Sequence, residues 1–204
     1  AHLYSSMVEQ EHQTPLLRIK SARAKYSMGL FVLYFGTRKA YQDVAHHTIW
    51  LGKRFRGLLR DIFRGNSLPD DFSLYLHRPT ATDTSFAPSG CDSFYVLAPV
   101  PNLEADIDWA FEGPRLQDRI VAALDGSILP GLRESITSDF YMTPEDFKQD
   151  YLSVAGAGFS VAPIFSQSAW FRFHNRSEGP RNLFLVGAGT PPGAGLPGVL
   201  SSAK

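Results

Sequence analysis

The chain has 204 residues, 44% of them apolar and 20% charged, and this composition excludes disorder, collagen and coiled coil as descriptions of the whole. Its 20 basic residues balance its 20 acidic ones, which argues against a general electrostatic affinity for nucleic acid. A single cysteine, Cys91, excludes an intrachain disulfide or a cysteine-built metal site, and the longest apolar run, Met28–Gly36, is shorter than the roughly 20 residues of a membrane-spanning helix.

The first half of the chain is predicted to mix strands and helices. The segment Tyr26–Thr37 is almost continuously apolar in its middle, which is typical of a strand buried on both faces. Apolar residues at helical spacing in Lys53–Arg64 predict an amphipathic helix, and alternation in Phe72–His77 predicts a half-buried strand. The other elements predicted here are a helix over residues 1–13, strands at Ala45–Leu51 and Ser93–Val100, a turn at Asn66–Asp71 and a loop at Pro79–Cys91.

The second half begins with a helix and becomes rich in glycine and loops. Thr143 as cap, Pro144 at the first position and acids in the first turn predict a short helix. We place a boundary near residue 150, with an α+β segment before it and a loop-rich segment after it. The other elements predicted here are a helix at Pro114–Leu124, a mainly extended stretch at Leu132–Met142, a flexible break at Ala155–Gly158 and a short strand at Asn182–Val186.

A glycine-rich loop after this last strand carries the main chemical motif. Glycine has no Cβ, so its backbone can approach a ligand closely, and the helix start that follows the loop favours an anion. Residues Gly193–Gly198 spell GxGxxG, but Gly187–Pro192 separate this motif from its strand, so it does not match the primary dinucleotide fingerprint. A turn that merely joins strand to helix explains the same glycines, and the residues leave both interpretations open.

Both ends of the sequence suggest a piece of a longer protein. The chain begins at Ala1 without methionine, and no signal-peptide pattern follows. At the other end, Leu196–Lys204 predicts the first turns of a helix that has Pro197 near its start and no cap at its end. We therefore expect the chain to be a fragment.

Several segments, in the same order, resemble the bacterial-type phytoene desaturases, which are FAD-dependent enzymes of the flavin amine-oxidase group. The stretch NLFLVGAGTPPGAGLPGVLSSAK at the C-terminus is the most similar. The resemblance begins near residue 20 and continues to the end. The upstream segments that carry it are Tyr26–Gly36, Ala45–Arg56, Asp70–Asp83, Phe94–Leu103, Trp109–Ile120, Pro130–Ile136 and Gln167–Ser177.

This resemblance implies an α/β fold class, in which an α+β substrate domain joins the C-terminal part of a Rossmann-like FAD-binding domain in a larger two-domain flavoprotein. Residues 1–150 would form part of the substrate-binding domain, and residues 151–204 would return into the FAD-binding domain. The main FAD-binding βαβ unit would lie outside this chain. The residues implied to bind FAD are Gly187, Ala188, Gly189, Thr190, Gly193, Ala194, Gly195, Leu196, Pro197, Gly198 and Val199.

One residue of the loop departs from the family pattern. The family usually reads GAGTHPGAG, whereas this chain has Pro191 where the histidine is expected. The change lies close to the implied flavin and puts full activity, or the particular reaction, in question.

Arg54 is the candidate catalytic residue, because a cation near the flavin could stabilise negative charge on the reduced ring. The alternative is an ordinary solvated arginine on a helix. His46 and His47 are adjacent, so on a strand they should face opposite sides. One of them could point into a cavity, and the alternative is an ordinary structural histidine. No third residue has a helpful ligand spacing, so we predict no metal site.

Two clusters could surround the ligands. Polar residues next to aromatic ones could lie near the cofactor or could fold a loop against the core: Arg172, His174, Asn175 and Arg176 beside Trp170, Phe171 and Phe173. Rings on the predicted strands could form the walls of an apolar substrate tunnel or could fill the core: Tyr34, Phe35, Tyr75, Phe94 and Tyr95.

The resemblance implies dehydrogenation of phytoene or a related polyene, with hydride transfer to FAD and no activity from this chain alone. Alternatives are a flavin-dependent carotenoid isomerase or ketolase, or a lipid-binding derivative without catalysis.

A long apolar polyene must be extracted from a membrane, so we expect a cytoplasmic protein attached peripherally to the membrane surface. The predicted helix Lys53–Arg64 suits an anionic surface, although an ordinary surface helix has the same pattern. Its five basic residues are Lys53, Arg54, Arg56, Arg60 and Arg64.

Overall fold

The computed structural model describes residues 2–204, apart from the side chain of Phe55, as a mixed α/β fold built on a five-stranded antiparallel sheet. The strand order is β2-β3-β4-β1-β5, so the first strand lies between the fourth and the fifth. The strands are β1 (Gly29–Thr37), β2 (His47–Trp50), β3 (Leu74–His77), β4 (Asp92–Val100) and β5 (Ile136–Met142). The helices are α1 (His2–Ser6), α2 (Pro15–Ala22), α3 (Phe55–Arg64), α4 (Trp109–Asp125), α5 (Leu132–Ser135), α6 (Pro144–Tyr151) and α7 (Leu196–Ser201).

One face of the sheet forms the main core with α4. Residues of β4 alternate between buried and half-buried along the whole strand, because one face packs on the helix and the other does not. The buried stripe of α4 includes Leu116, Ile120 and Leu124, which join Phe31 and Leu33 of β1 in one apolar cluster. The first half of β1 is buried on both faces, as predicted.

A second, smaller core joins the beginning of the chain to its end. Tyr4 and Leu17 pack with Val161 and Phe173. Helix α2 was not predicted, although Thr14 caps it by accepting a hydrogen bond from the amide of Leu17 at 3.1 Å. The predicted helix over residues 1–13 is limited to α1 and a 3₁₀ turn at Gln10–His12; Ala1 lies outside the described residues.

Several boundaries differ from the prediction for local reasons. Helix α4 begins at Trp109 rather than Pro114, because Asp108 accepts a hydrogen bond from the amide of Phe111 and caps the helix there. The extended stretch predicted from Leu132 begins with the short helix α5 and becomes a strand at Ile136. Thr143 and Asp146 form a reciprocal capping box at the start of α6, which confirms that helix.

The strand predicted at Asn182–Val186 is wrong. Alternation is present, because Leu183 and Leu185 pack on the second core whereas Phe184 and Val186 are exposed. Within residues 2–204, however, this segment makes only one isolated bridge, between Arg176 and Phe184. Without a neighbouring strand, alternation does not produce a ladder.

Among the described helices, none combines the length and the apolar character needed to cross a membrane.

Candidate functional site

A row of five aromatic side chains crosses the face of the sheet opposite α4. Direct cross-strand pairs link one residue from each strand. Successive ring centroids lie 5.2, 4.7, 5.8 and 4.7 Å apart. From β2 to β5 this aromatic row consists of His47, His77, Tyr95, Tyr34 and Phe140.

A second row beside it is mainly aliphatic and makes the same face broadly apolar. The register again connects all five strands, two residues further along each. The outermost side chain, on β2, is 63% exposed, whereas Val32 on β1 is 4% exposed, so within the described residues this row is open on its β2 side and covered at the centre of the sheet. The aliphatic row consists of Ile49, Tyr75, Leu97, Val32 and Met142.

The tyrosines of the aromatic row stay un-ionised. Burial, followed by a hydrogen bond with Tyr75, raises the pKa of Tyr95 to about 12. Burial also raises the pKa of Tyr34 above its ordinary value. The centre of the row is therefore uncharged at any ordinary pH and suits an apolar ligand.

Two of the five rings predicted to form a substrate wall lie elsewhere. Tyr34, Tyr75 and Tyr95 do share the open face. Phe35 and Phe94 point to the other face, where they are 4% exposed and stack with centroids 5.1 Å apart in the main core. For these two the tunnel-wall interpretation is wrong and the core alternative holds, because neighbouring residues on a strand alternate between faces.

Three histidines cluster where β2 and β3 meet. His46 precedes β2, and its ring stacks on that of His47 with centroids 4.3 Å apart, so the expectation of opposite faces is wrong. His46 Nε2 lies 2.7 Å from Nε2 of His77, a residue that the sequence prediction did not group with them. Burial and the two neighbouring imidazoles lower the pKa of His77.

The glycine-rich loop that precedes α7 has the open backbone expected of a ligand cradle. Gly187, Gly193 and Gly195 have φ values of +113°, +126° and +96°, a region that favours glycine. At Gly187 and Gly195 a Cβ would meet nothing within 4 Å, so these positions border open space. Among the hydrogen bonds of the described residues, none is donated by the amides of Gly193, Ala194 or Gly195.

A buried cation lies under this loop. Arg172 is 5% exposed and donates to the carbonyl of Ala188, and its Cζ lies 4.0 Å from where a Cβ of Gly193 would be. Burial lowers its pKa from the usual value. Its Nε has no hydrogen-bond partner in the described part of the chain, and the ion pairs found there do not include it. A buried, unpaired cation beneath free amides fits a ligand that carries phosphate groups, as FAD does.

The other polar residues of this region hold the loop in place. The Asn175 side-chain amide donates to the carbonyls of Leu185 and Ser202 and to the hydroxyl of Thr190, at 2.7–3.2 Å. His174 Nε2 lies 2.8 Å from the carbonyl oxygen of Trp170. Asn175 therefore folds the loop, which is the structural alternative for this cluster, whereas Arg172 lies beneath the glycine-rich loop, against Ala188 and Gly193. Arg176 is exposed, and Phe173 belongs to the second core.

Arg54 lies at the start of α3 and forms a surface ion pair. Its Nη2 is 2.5 Å from Oδ2 of Asp61, and its backbone amide donates to Asp71. No hydrogen bond or ion pair within residues 2–204 joins it to the glycine loop or to the aromatic row. Its catalytic role stays a prediction, as do the individual FAD contacts implied for residues 187–199.

Comparison with known proteins places the chain among the carotenoid desaturases. It is 56% identical to a lycopene-forming phytoene desaturase of Paracoccus sp. (strain N81106 / MBIC 01143) over 189 residues, which cover 92% of this chain and 38% of that protein. It is 48% identical to the lycopene-forming enzyme of Pantoea ananas over 204 residues, 100% of this chain and 42% of that protein. It is 45% identical to the neurosporene-forming enzyme of Rhodobacter capsulatus over 208 residues, 100% of this chain and 40% of that protein.

Within that class, these relatives are phytoene desaturases, and they match 92–100% of this chain. It spans about two fifths of the length of these relatives. No protein-family model matches the chain. The mixed α/β fold class and the family resemblance are therefore confirmed.

Proposed function

We propose that this chain supplies the substrate-facing sheet and part of the flavin site of an FAD-dependent desaturase acting on a long apolar polyene of the phytoene type. The observation that carries the proposal is the aromatic row across all five strands, in a chain 45–56% identical to phytoene desaturases. A hydrocarbon has no hydrogen-bonding groups, so shape and apolar contact must position it.

The dimensions of the open face suit such a substrate. Neighbouring strands lie about 4.8 Å apart, so a row across five strands extends about 19 Å. Tyr34, Tyr95 and Phe140 would stack along an extended polyene, and the aliphatic row would widen the apolar surface beside it. Contact with these rings would exclude water from the carbon atoms that react.

The glycine loop and Arg172 are the groups of this chain that we propose hold the cofactor. FAD, when bound, supplies the acceptor for the hydride that leaves the polyene, while the accompanying proton passes to a base or to water. Loss of these two hydrogens from a saturated carbon pair adds one conjugated double bond. Arg172 would balance the negative charge of the phosphates, and the free amides of the loop would donate to them.

The test is product analysis with the full-length protein, FAD and phytoene-containing vesicles. We expect a product that absorbs at longer wavelength, has lost two hydrogens for each step and contains no oxygen. A product of unchanged mass would indicate an isomerase, and one with added oxygen a ketolase. A protein that binds carotenoid but binds no flavin and forms no product would indicate a lipid-binding role. Any of these three results would contradict the proposal.

We also propose that the protein attaches peripherally to the cytoplasmic face of a membrane through α3. Arg56, Arg60 and Arg64 are exposed at four-residue intervals, so they share one side of the helix. Leu59 and Phe63 lie one position before the last two and are 42% and 50% exposed. Exposed apolar side chains next to a basic stripe support attraction to anionic lipid.

A further inference from the structure

The histidine cluster brings three imidazoles together from two strands. His47 and His77 are direct cross-strand partners, and His46 immediately precedes β2. One ring nitrogen from each of the three lies within 4.8 Å of the other two. The ring centroids are 4.3, 4.7 and 5.2 Å apart.

We propose that His46, His47 and His77 form a binding site for a divalent first-row transition metal of the zinc type. Three imidazole nitrogens bound to one tetrahedral zinc ion at about 2.0–2.1 Å lie about 3.4 Å from each other. The Nε2 atoms of His46 and His77 are 2.7 Å apart, so a small opening of this pair admits the ion. Three protein ligands leave the fourth position to water or another small ligand.

The surroundings of two rings leave the same nitrogen available in each. Nδ1 of His47 contacts the hydroxyl of Tyr75 at 2.7 Å, and Nδ1 of His46 contacts the hydroxyl of Thr82. Hydrogen bonds of this kind fix the orientation of a metal-binding imidazole and leave its other nitrogen for the metal. Nε2 is therefore the ligand atom that His46 and His47 offer.

The third ring, that of His77, has one nitrogen without a hydrogen-bond partner within the described residues. This nitrogen, Nδ1, is buried. All three donors are imidazoles, and imidazole suits zinc, copper, nickel and cobalt better than it suits calcium or magnesium, which prefer oxygen. The proposal therefore specifies the class of metal, and it does not depend on the desaturase activity.

A second group provides a control. Glu9, Glu11 and His12 also have potential ligand atoms close together, but all three are exposed. Exposed acidic groups of this kind are common on protein surfaces without a metal. His12→Gln removes a histidine from the chain without touching the proposed site.

The experiment titrates the full-length protein, freed of metal, with Co²⁺ and follows the visible absorption of the bound ion, then displaces it with Zn²⁺. We expect the affinity of one site to fall in His47→Gln and in His77→Gln, with a Kd for Co²⁺ at least about ten-fold higher, because even residues that only support metal ligands contribute that much. His47 is exposed, so its replacement leaves the fold intact, which circular dichroism checks. His12→Gln should bind as the unmodified protein does.

Three outcomes would overturn the proposal. The first is the absence of saturable Co²⁺ binding to the unmodified protein. The second is binding to His47→Gln and His77→Gln with unchanged number and affinity of sites. The third is a loss of the site in His12→Gln alone, which assigns the metal to the exposed acidic group.

Discussion

His77 and Tyr95 face each other directly across β3 and β4, with ring centroids 4.7 Å apart. This pair joins the histidine cluster at one side of the sheet to the aromatic surface that continues through Tyr34 to Phe140. The two features thus form one continuous face. A ligand lying along the aromatic row would have un-ionised tyrosines in its middle and imidazoles at its β2 end.

A charge introduced into the aromatic row should weaken substrate binding. In Phe140→Asp, a short carboxylate replaces a ring that is 59% exposed, and an apolar ligand cannot compensate the carboxylate for lost water. We expect the KM for phytoene in vesicles to rise about ten-fold or more. Thr137→Asp, at an exposed position of the same strand outside both rows, is the control. Equal KM values for the two variants would contradict the assignment of this face to the substrate.

The strands of this face could be predicted from the sequence, but their register could not. Alternation in residues 72–77 predicted β3, because burial of one face produces that pattern, and residues 93–100 were also predicted as a strand, which is β4. Which residues lie opposite each other depends on the strand order, in which β1 lies between β4 and β5. Local pattern contains no information about that order. His77 was therefore not grouped with His46, whereas alternation along β1 alone would have separated Phe35 from Tyr34.

Elsewhere, the rules for helix caps succeeded or failed according to how many features coincided. Thr143, Pro144 and two acids together predicted α6. Helix α2 also begins with a threonine cap and a proline, Thr14 and Pro15, but it has no acid in its first turn, and this helix was not predicted. The sequence left Arg172 undecided between the cofactor and the core, because its position depends on burial beneath a loop that follows it by more than ten residues.

Replacing Arg172 should weaken FAD binding without destabilising the protein. Its guanidinium is buried without a carboxylate partner and donates to the carbonyls of Gln167 and Ala188, so its removal relieves a desolvation cost that offsets the loss of these two bonds in the FAD-free protein, while removing the charge that phosphates would meet. We expect Arg172→Gln to raise the Kd for FAD about ten-fold or more, which corresponds to one charged hydrogen bond. Flavin fluorescence titration of the full-length protein measures this.

Two comparisons make that result specific. Arg176→Gln alters a nearby exposed arginine and should leave the Kd unchanged. The melting temperature of the FAD-free Arg172→Gln protein should equal or exceed that of the unmodified protein. A large fall in that temperature, with unchanged FAD affinity, would show that Arg172 is structural only.

Breaking the buried ion pair between Arg78 and Asp92 should be strongly destabilising. Asp92 is 2% exposed, and its Oδ2 lies 2.9 Å from Arg78 Nε and also accepts from the amide of Tyr41 at 2.6 Å. Asp92→Asn would leave the arginine charge buried and uncompensated. We expect a loss of about 3–5 kcal/mol in the free energy of unfolding, measured by urea denaturation followed by circular dichroism.

The exposed pair of Arg133 and Asp118 is the matched control for this effect. Their side chains are 57% and 74% exposed, and the N–O distance is 3.2 Å. Solvent and salt screen such a pair, so Asp118→Asn should change the stability by less than about 1 kcal/mol. A loss of the same size in both variants would mean that burial does not determine the contribution of the Arg78–Asp92 pair.

Removing the basic stripe of α3 should release the protein from anionic membranes. Each exposed arginine near such a surface strengthens binding about five-fold, so the triple variant Arg56→Gln, Arg60→Gln and Arg64→Gln should bind vesicles containing anionic lipid about 100-fold more weakly. Sedimentation of the full-length protein with the vesicles measures this. Arg133→Gln, outside α3, should bind as the unmodified protein does, and so should the triple variant with vesicles of neutral lipid. Unchanged binding of the triple variant to anionic vesicles would contradict attachment through α3, because the remaining apolar contacts of Leu59 and Phe63 do not distinguish the two lipids.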